Sequence, residues 1–252
     1  MQIFGKPAPP ARREIARLFI SYSREDRVVA DNLVTGLEAE GFVVRIDRRD
    51  LPIGEEWAKQ IERFVAEADI TVWLVTEHSL KSEWCQWELG LASSLHKKVI
   101  PVVIAAVDLG QLPVHLGKLH VLPSEGVFEP GRDFSKLIAA IELDLDWVVT
   151  HSRLSERALD WASKLRPAAR LQRGDALDEA IHWLKRPLPW GSAGPSAIVV
   201  EYVAEGRRRR AVLRQRWLSA AMLLIAVFGF GIFLIEQQRL RAETETKLKL
   251  AG

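Results

Sequence analysis

Residues 70–75 read Ile-Thr-Val-Trp-Leu-Val, six positions with one polar side chain among them. A run of that length and composition fits a strand covered on both faces, as the interior of a parallel sheet requires. The flanks agree. Upstream, residues 57–68 place Ile61, Phe64, Val65 and Ala68 on one helical stripe, and downstream residues 83–97 read as another helix. Further out, Leu18-Phe19-Ile20 and residues 42–46 are short apolar runs on either side of a helical stretch at 26–40. That stretch carries Val29, Leu33, Val34 and Leu37 on one stripe and ends at Gly41. Residues 99–106 give a fourth strand interrupted by Pro101, residues 120–122 a weak fifth, and residues 134–147 a last helix. Strands alternating with helices of this length predict an α/β fold. We expect a flavodoxin-like parallel sheet of about five strands, order 2-1-3-4-5, flanked by helices.

Of the 252 residues, 48% are apolar and 27% charged, which excludes a disordered chain. The net charge of +2 is unevenly spread. Residues 207–252 hold ten Lys/Arg against three Asp/Glu, while the first 206 residues hold 25 against 30. A mildly acidic body is a poor nucleic-acid surface, so no nucleic-acid partner is expected. A single cysteine, Cys85, excludes an internal disulfide, and the six histidines lack any metal-ligand spacing, so no metal is expected.

Residues 217–235 form an uncharged stretch of 19 residues that begins at Trp217. As a helix it would span about 28 Å, close to the hydrocarbon core of a bilayer. Arg207, Arg208, Arg209, Arg210, Arg214 and Arg216 precede it, whereas the following Arg239, Arg241, Lys247 and Lys249 are diluted by Glu236, Glu243 and Glu245. The positive-inside bias predicts a single-pass membrane protein with its N-terminal body in the cytoplasm. The arginine run predicts attraction to an anionic lipid surface. The expected layout is a disordered Pro-rich lead at 1–14, an α/β domain at 15–149 and a helical connector at 150–206. A juxtamembrane polybasic segment at 207–216, the span at 217–235 and a tail at 236–252 complete it.

In an open parallel sheet, ligands bind beyond the carboxyl ends of the strands where the strand order reverses, here between the first and third strands. That places Ser21, Tyr22, Ser23 and Arg24, together with residues 78–88, at the candidate crevice. Trp84 and Glu88 are four apart, on one helix face. An indole beside a carboxylate suits a flat cationic heterocycle attached to a sugar, although the same spacing also describes an ordinary half-buried helix face.

Three segments resemble a Toll/interleukin-1 receptor (TIR) domain of bacterial type, over about residues 15–147. They are Phe19-Ile20-Ser21-Tyr22-Ser23; Arg45-Ile46-Asp47 through Leu51-Pro52-Ile53-Gly54-Glu55-Glu56-Trp57; and Ser82-Glu83-Trp84-Cys85-Gln86-Trp87-Glu88-Leu89. The resemblance implies that residues 15–149 are the TIR domain. In that family the loop after the second strand, the BB loop, mediates assembly, which points to Asp47, Leu51, Pro52, Ile53 and Gly54. Enzymatic members cleave NAD⁺ at the nicotinamide–ribose bond with a glutamate on the third helix, the place of Glu88. Trp84, Ser21, Tyr22, Ser23, Arg24 and Trp57 would then line the substrate. Other members are non-catalytic adaptors.

The resemblance therefore implies a membrane-anchored NAD⁺ glycohydrolase, activated by self-assembly in bacterial antiphage signalling, with NAD⁺ as substrate and no cofactor. The alternatives are an adaptor that binds other TIR domains at the membrane and, third, a transferase on nucleosides or nucleotides. The first strand lacks a Gly-rich phosphate loop, so a dehydrogenase-type NAD site is not expected.

Overall fold

A computed structural model describes residues 16–46, 55–113, 120–189 and 192–250, including all their side chains except those of 55–57 and 238–250. The expected lead at 1–14 and the BB-loop residues Asp47, Leu51, Pro52, Ile53 and Gly54 lie outside the described residues.

The apolar run at Ile70–Val75 is strand β3, and all six of its residues are buried. It pairs in parallel with β1 (Arg17–Ser21) on one side and β4 (Lys98–Val103) on the other, and β2 (Val43–Ile46) lies beyond β1. The order is β2-β1-β3-β4, with Ser21 opposite Trp73 and Trp73 opposite Pro101.

The expected fifth strand is a correction. Among the described residues, a single parallel bridge, Val102 with Leu122, occupies that position. Pro123 follows at once and has no N–H to continue a ladder. The proline inside β4 is tolerated because of its side. Leu122 N–H donates to the Pro101 carbonyl at 2.8 Å, so the peptide groups of Pro101 face outward and no bond to β3 is lost.

Side chains alternate across the sheet. Leu18, Ile20, Tyr22, Ile70, Val72, Leu74, Ile100 and Val102 enter one core with α1 (Arg27–Ala39) and α5 (Pro130–Glu142). Phe19, Trp73, Val75, Val99 and Val103 enter the other with α2 (Glu55–Glu67) and α4 (Glu83–Ser94). On α1 the buried stripe is Ala30, Leu33, Val34 and Leu37, with Val29 turned outward. A Cβ added at Gly36 on α1 would lie 3.0 Å from two ring atoms of Phe134 on α5. Gly36→Ala should therefore lower stability by about 1 kcal/mol despite its better helix propensity. Crowding of this kind costs about 1–3 kcal/mol, against a propensity gain of about 1 kcal/mol. A fall in thermal midpoint of about 2–4 °C would register it.

One expected helix is shortened and another is divided. The stretch 83–97 ends as a helix at Ser94, preceded by a separate short α3 (Glu77–Lys81) capped by Thr76. The stretch 134–147 breaks at Asp144, whose left-handed φ of 55° separates α5 from α6 (Leu145–Ser163). The expected border at 149/150 thus falls inside α6. Trp147, Val148, Leu154 and Trp161 of α6 share one continuous core with the sheet, as do Leu177 and Trp183 of α7 (Gly174–Leu184). The start of α8 (Ala197–Leu250) joins that core through Val199, Tyr202 and Val203. Over Ala197–Gln237, α8 is long and apolar enough to cross a membrane, and none of its most apolar window is buried.

Candidate active site at the switch point of the sheet

Strand order reverses between β1 and β3, so the candidate crevice lies at their carboxyl ends. Ser21 is the last residue of β1 and, sharing the parity of Phe19, faces α4. Ser82 caps α4 by accepting from Cys85 N–H at 3.3 Å, which fixes the helix start and sets Glu88 beside the strand end. There the Ser21 hydroxyl donates to Glu88 Oε2 at 2.6 Å. Ser21 is fully buried and Glu88 is 1% exposed.

Sequence reasoning expects Glu88 to be open to the crevice, and the structure shows it closed. One turn earlier, Trp84 is 41% exposed and packs edge-on against Trp87, with ring centroids 5.9 Å apart. The indole is thus at the surface while the carboxylate one turn later on the same helix is buried. Cys85, between them in sequence, is buried.

The other candidates separate. Tyr22 is buried in the core on the opposite face of the sheet, away from α4. Ser23 is buried, and its hydroxyl donates to the Glu25 carboxylate. That bond, with smaller contributions from a backbone N–H and from His78, holds the Glu25 carboxyl below the usual range. Arg24 is exposed at the start of the 3-10 turn Arg24–Asp26. Trp57 lies on α2, with its side chain outside the described residues.

Sequence reasoning missed the bracing of this rim. Thr76 Oγ1 donates to Asp26 Oδ2 at 2.7 Å while accepting from Ser79 N–H, tying the turn after β1 to the cap after β3. The Thr-x-x-Ser spacing at 76–79 is the readable half of that pair; nothing in sequence joins it to Asp26. Also beyond sequence is Trp73, the register partner of Ser21, whose buried Nε1 makes no hydrogen bond among the described residues. No His, Cys, Asp or Glu cluster among the described residues could hold a metal ion.

The profile of the TIR domain family matches residues 18–138, from β1 into α5. Residues 18–138 are a TIR domain. Toll-like receptor 2 of Boselaphus tragocamelus is 29% identical over 128 residues, covering 47% of this chain and 16% of the receptor. Protein y4lF of Sinorhizobium fredii is 28% identical over 117 residues, covering 43% of this chain and 36% of that protein. The chain therefore spans well under half the length of these curated relatives. The TIR domain of the Toll-related receptor TRR-2 from Hydra magnipapillata aligns at 24% identity and a TM-score of 0.37. That alignment covers 42% of this chain and 81% of that one.

Proposed function

We propose that this TIR protein is a membrane-anchored NAD⁺ glycohydrolase in which Glu88 is the acting carboxylate. The observation that carries the reading is the Ser21–Glu88 pair at the switch point, where a buried carboxylate accepts a hydrogen bond from a hydroxyl at 2.6 Å, one helical turn from an exposed indole. Nicotinamide leaves NAD⁺ as a neutral base from a cationic linkage, so the departing group needs no general acid. The demand is to stabilise an oxocarbenium-like ribose, and a carboxylate accepting from the ribose hydroxyls meets it. In the closed state the Ser21 hydroxyl takes the place of a sugar hydroxyl. Substrate entry exchanges one O–H donor for another, so Glu88 does not pass through an unpaired state. Water then attacks the anomeric carbon, giving ADP-ribose, or an internal nucleophile gives its cyclised form.

Helix α8 anchors the protein, with residues 207–216 against anionic headgroups and the TIR domain on the cytoplasmic side. Lateral clustering raises the effective concentration of neighbouring TIR domains, and BB-loop contacts between copies open the site during antiphage signalling. A second reading, a non-catalytic adaptor recruiting other TIR domains, is favoured by the near-complete burial of Glu88.

One measurement separates the two. Full-length protein packed densely into anionic vesicles should release nicotinamide and ADP-ribose from NAD⁺ at least about tenfold faster per molecule than sparsely inserted protein. Absence of nicotinamide at any density would remove the glycohydrolase and favour the adaptor.

A further inference from the structure

We propose that the loop entering α8 is tied to the helix that carries Glu88, so that displacement of the membrane-spanning helix moves α4 and withdraws Glu88 from Ser21. This rests on the reading of Glu88 as the acting carboxylate. The tie is His96, two residues past the end of α4. Its Nδ1 lies 3.0 Å from the carbonyl oxygen of Gly194, and that carbonyl can only accept, so His96 carries its proton on Nδ1.

Both partners sit at backbone positions that fix their direction. His96 has φ 54° and Gly194 φ 76°, the left-handed region that glycine takes freely and histidine seldom does. Gly194 stands two residues before Ser196, whose carbonyl accepts from Val199 and Val200 N–H to start α8. A shift of α8 along or about its axis is therefore delivered to Gly194 with little slack.

The receiving side is equally stiff. Leu95, His96 and Lys97 N–H donate to the Leu91, Ser93 and Ala92 carbonyls at 3.0, 3.0 and 2.9 Å, which welds His96 to the last turn of α4. From Ser94, the last residue of α4, back to Glu88 is about 9 Å of one helix. Lys97 Nζ adds a second anchor, donating to the Ala66 carbonyl of α2 at 2.7 Å and to Ser152 Oγ of α6 at 3.2 Å. At the far end, the Ser21–Glu88 contact of 2.6 Å is lost by a movement of about 1 Å. His96 is thus a positioning residue. It touches no part of the crevice and acts through α4.

Two variants isolate the bond from the backbone. His96→Asn keeps an N–H donor near the same place and tolerates positive φ, whereas His96→Gly keeps the conformation and removes the donor. The full chain is inserted into phosphatidylcholine–phosphatidylglycerol vesicles at low and high density. Amide hydrogen exchange over residues 85–97 is then followed beside nicotinamide release from NAD⁺. Wild type and His96→Asn should show about tenfold faster exchange in α4 at high density, and His96→Gly no change with density.

Exchange in wild type that ignores density, or a density response retained in full by His96→Gly, overturns the proposal. The two readings fail separately. Density-dependent exchange abolished by His96→Gly, with no nicotinamide released at any density, keeps the tie and removes the enzyme. Nicotinamide release that rises with density equally in His96→Gly keeps the enzyme and removes the tie.

Discussion

Glu88→Gln should lower nicotinamide release from NAD⁺ by about 10³-fold in kcat, with KM nearly unchanged and the fold intact. A drop of that size is about 4 kcal/mol of transition-state stabilisation, the scale expected when one preorganised charge facing a developing cation is removed. Glutamine matches glutamate in shape, and its Oε1 still accepts from the Ser21 hydroxyl across the 2.6 Å contact. What it lacks is the negative charge, and a ground-state NAD⁺ gains little from that charge compared with the oxocarbenium, so kcat carries the loss.

Stability should hold or rise in Glu88→Gln, because glutamine keeps the shape and the Ser21 bond of a side chain 1% exposed without the desolvated charge. Glu88→Ala is the poorer variant, since it leaves the buried Ser21 hydroxyl unpaired and opens a void, mixing catalytic with structural loss. Nicotinamide release by Glu88→Gln at the wild-type rate would remove the carboxylate from the mechanism. Unchanged release together with a lowered thermal midpoint would mark Glu88 as a buried structural acid.

What the sequence made readable follows from what each feature costs to hide. The run at residues 70–75 is apolar on both faces because β3 is covered on both faces, so position, length and parallel pairing are all legible from it. The expected fifth strand rests on residues 120–122, where the pair Val121-Leu122 after His120 carries no mark of a ladder that Pro123 stops after one bridge. The break at Asp144 was invisible because the apolar spacing of α5 resumes in α6 after a single left-handed residue. At the site, the helix position of Glu88 and its placement at the same strand ends as Ser21 are legible from helical spacing and the switch-point rule, whereas the bond between the two is not. Nor is the depth of Glu88. Whether a carboxylate at i+4 from a tryptophan faces solvent depends on how far α4 is pressed onto the sheet, which packing decides. The links from His96 to Gly194 and from Asp26 to Thr76 join residues 98 and 50 positions apart and leave no local trace.

Acid should destabilise the joint between the TIR domain and the helices that follow it, by about 3 kcal/mol between pH 6.5 and 4, through His151. The ring of His151 lies against Trp147 and Trp183, with centroids 5.4 and 5.8 Å away and interplanar angles of 15° and 19°. It is 2% exposed, and Ser155 Oγ lies 3.4 Å from its Nε2. Burial first, then the positive charges of Lys97 and His96, push its pKa down from 6.5 to about 4.

The folded chain therefore refuses a proton that the unfolded chain accepts, and only in that interval. The stabilisation is whole above pH 6.5, drains as pH falls toward 4, and changes no further below it. Lys97, whose charge opposes protonation of His151, works on the alkaline side. Burial lowers its pKa from 10.5 to about 8 against the pull of Asp69 and Glu156, so stability climbs between pH 8 and 10.5 as the unfolded chain alone holds the proton. His151→Phe keeps the stack and deletes the titration. The difference in unfolding free energy between wild type and this variant, followed by tryptophan near-UV dichroism, should change by about 3 kcal/mol from pH 6.5 to 4. It should be flat from pH 7 to 10, where Lys97 titrates equally in both. A difference that stays constant across the acid interval would mean that the folded protein accepts the proton after all, with His151 charged between two indoles.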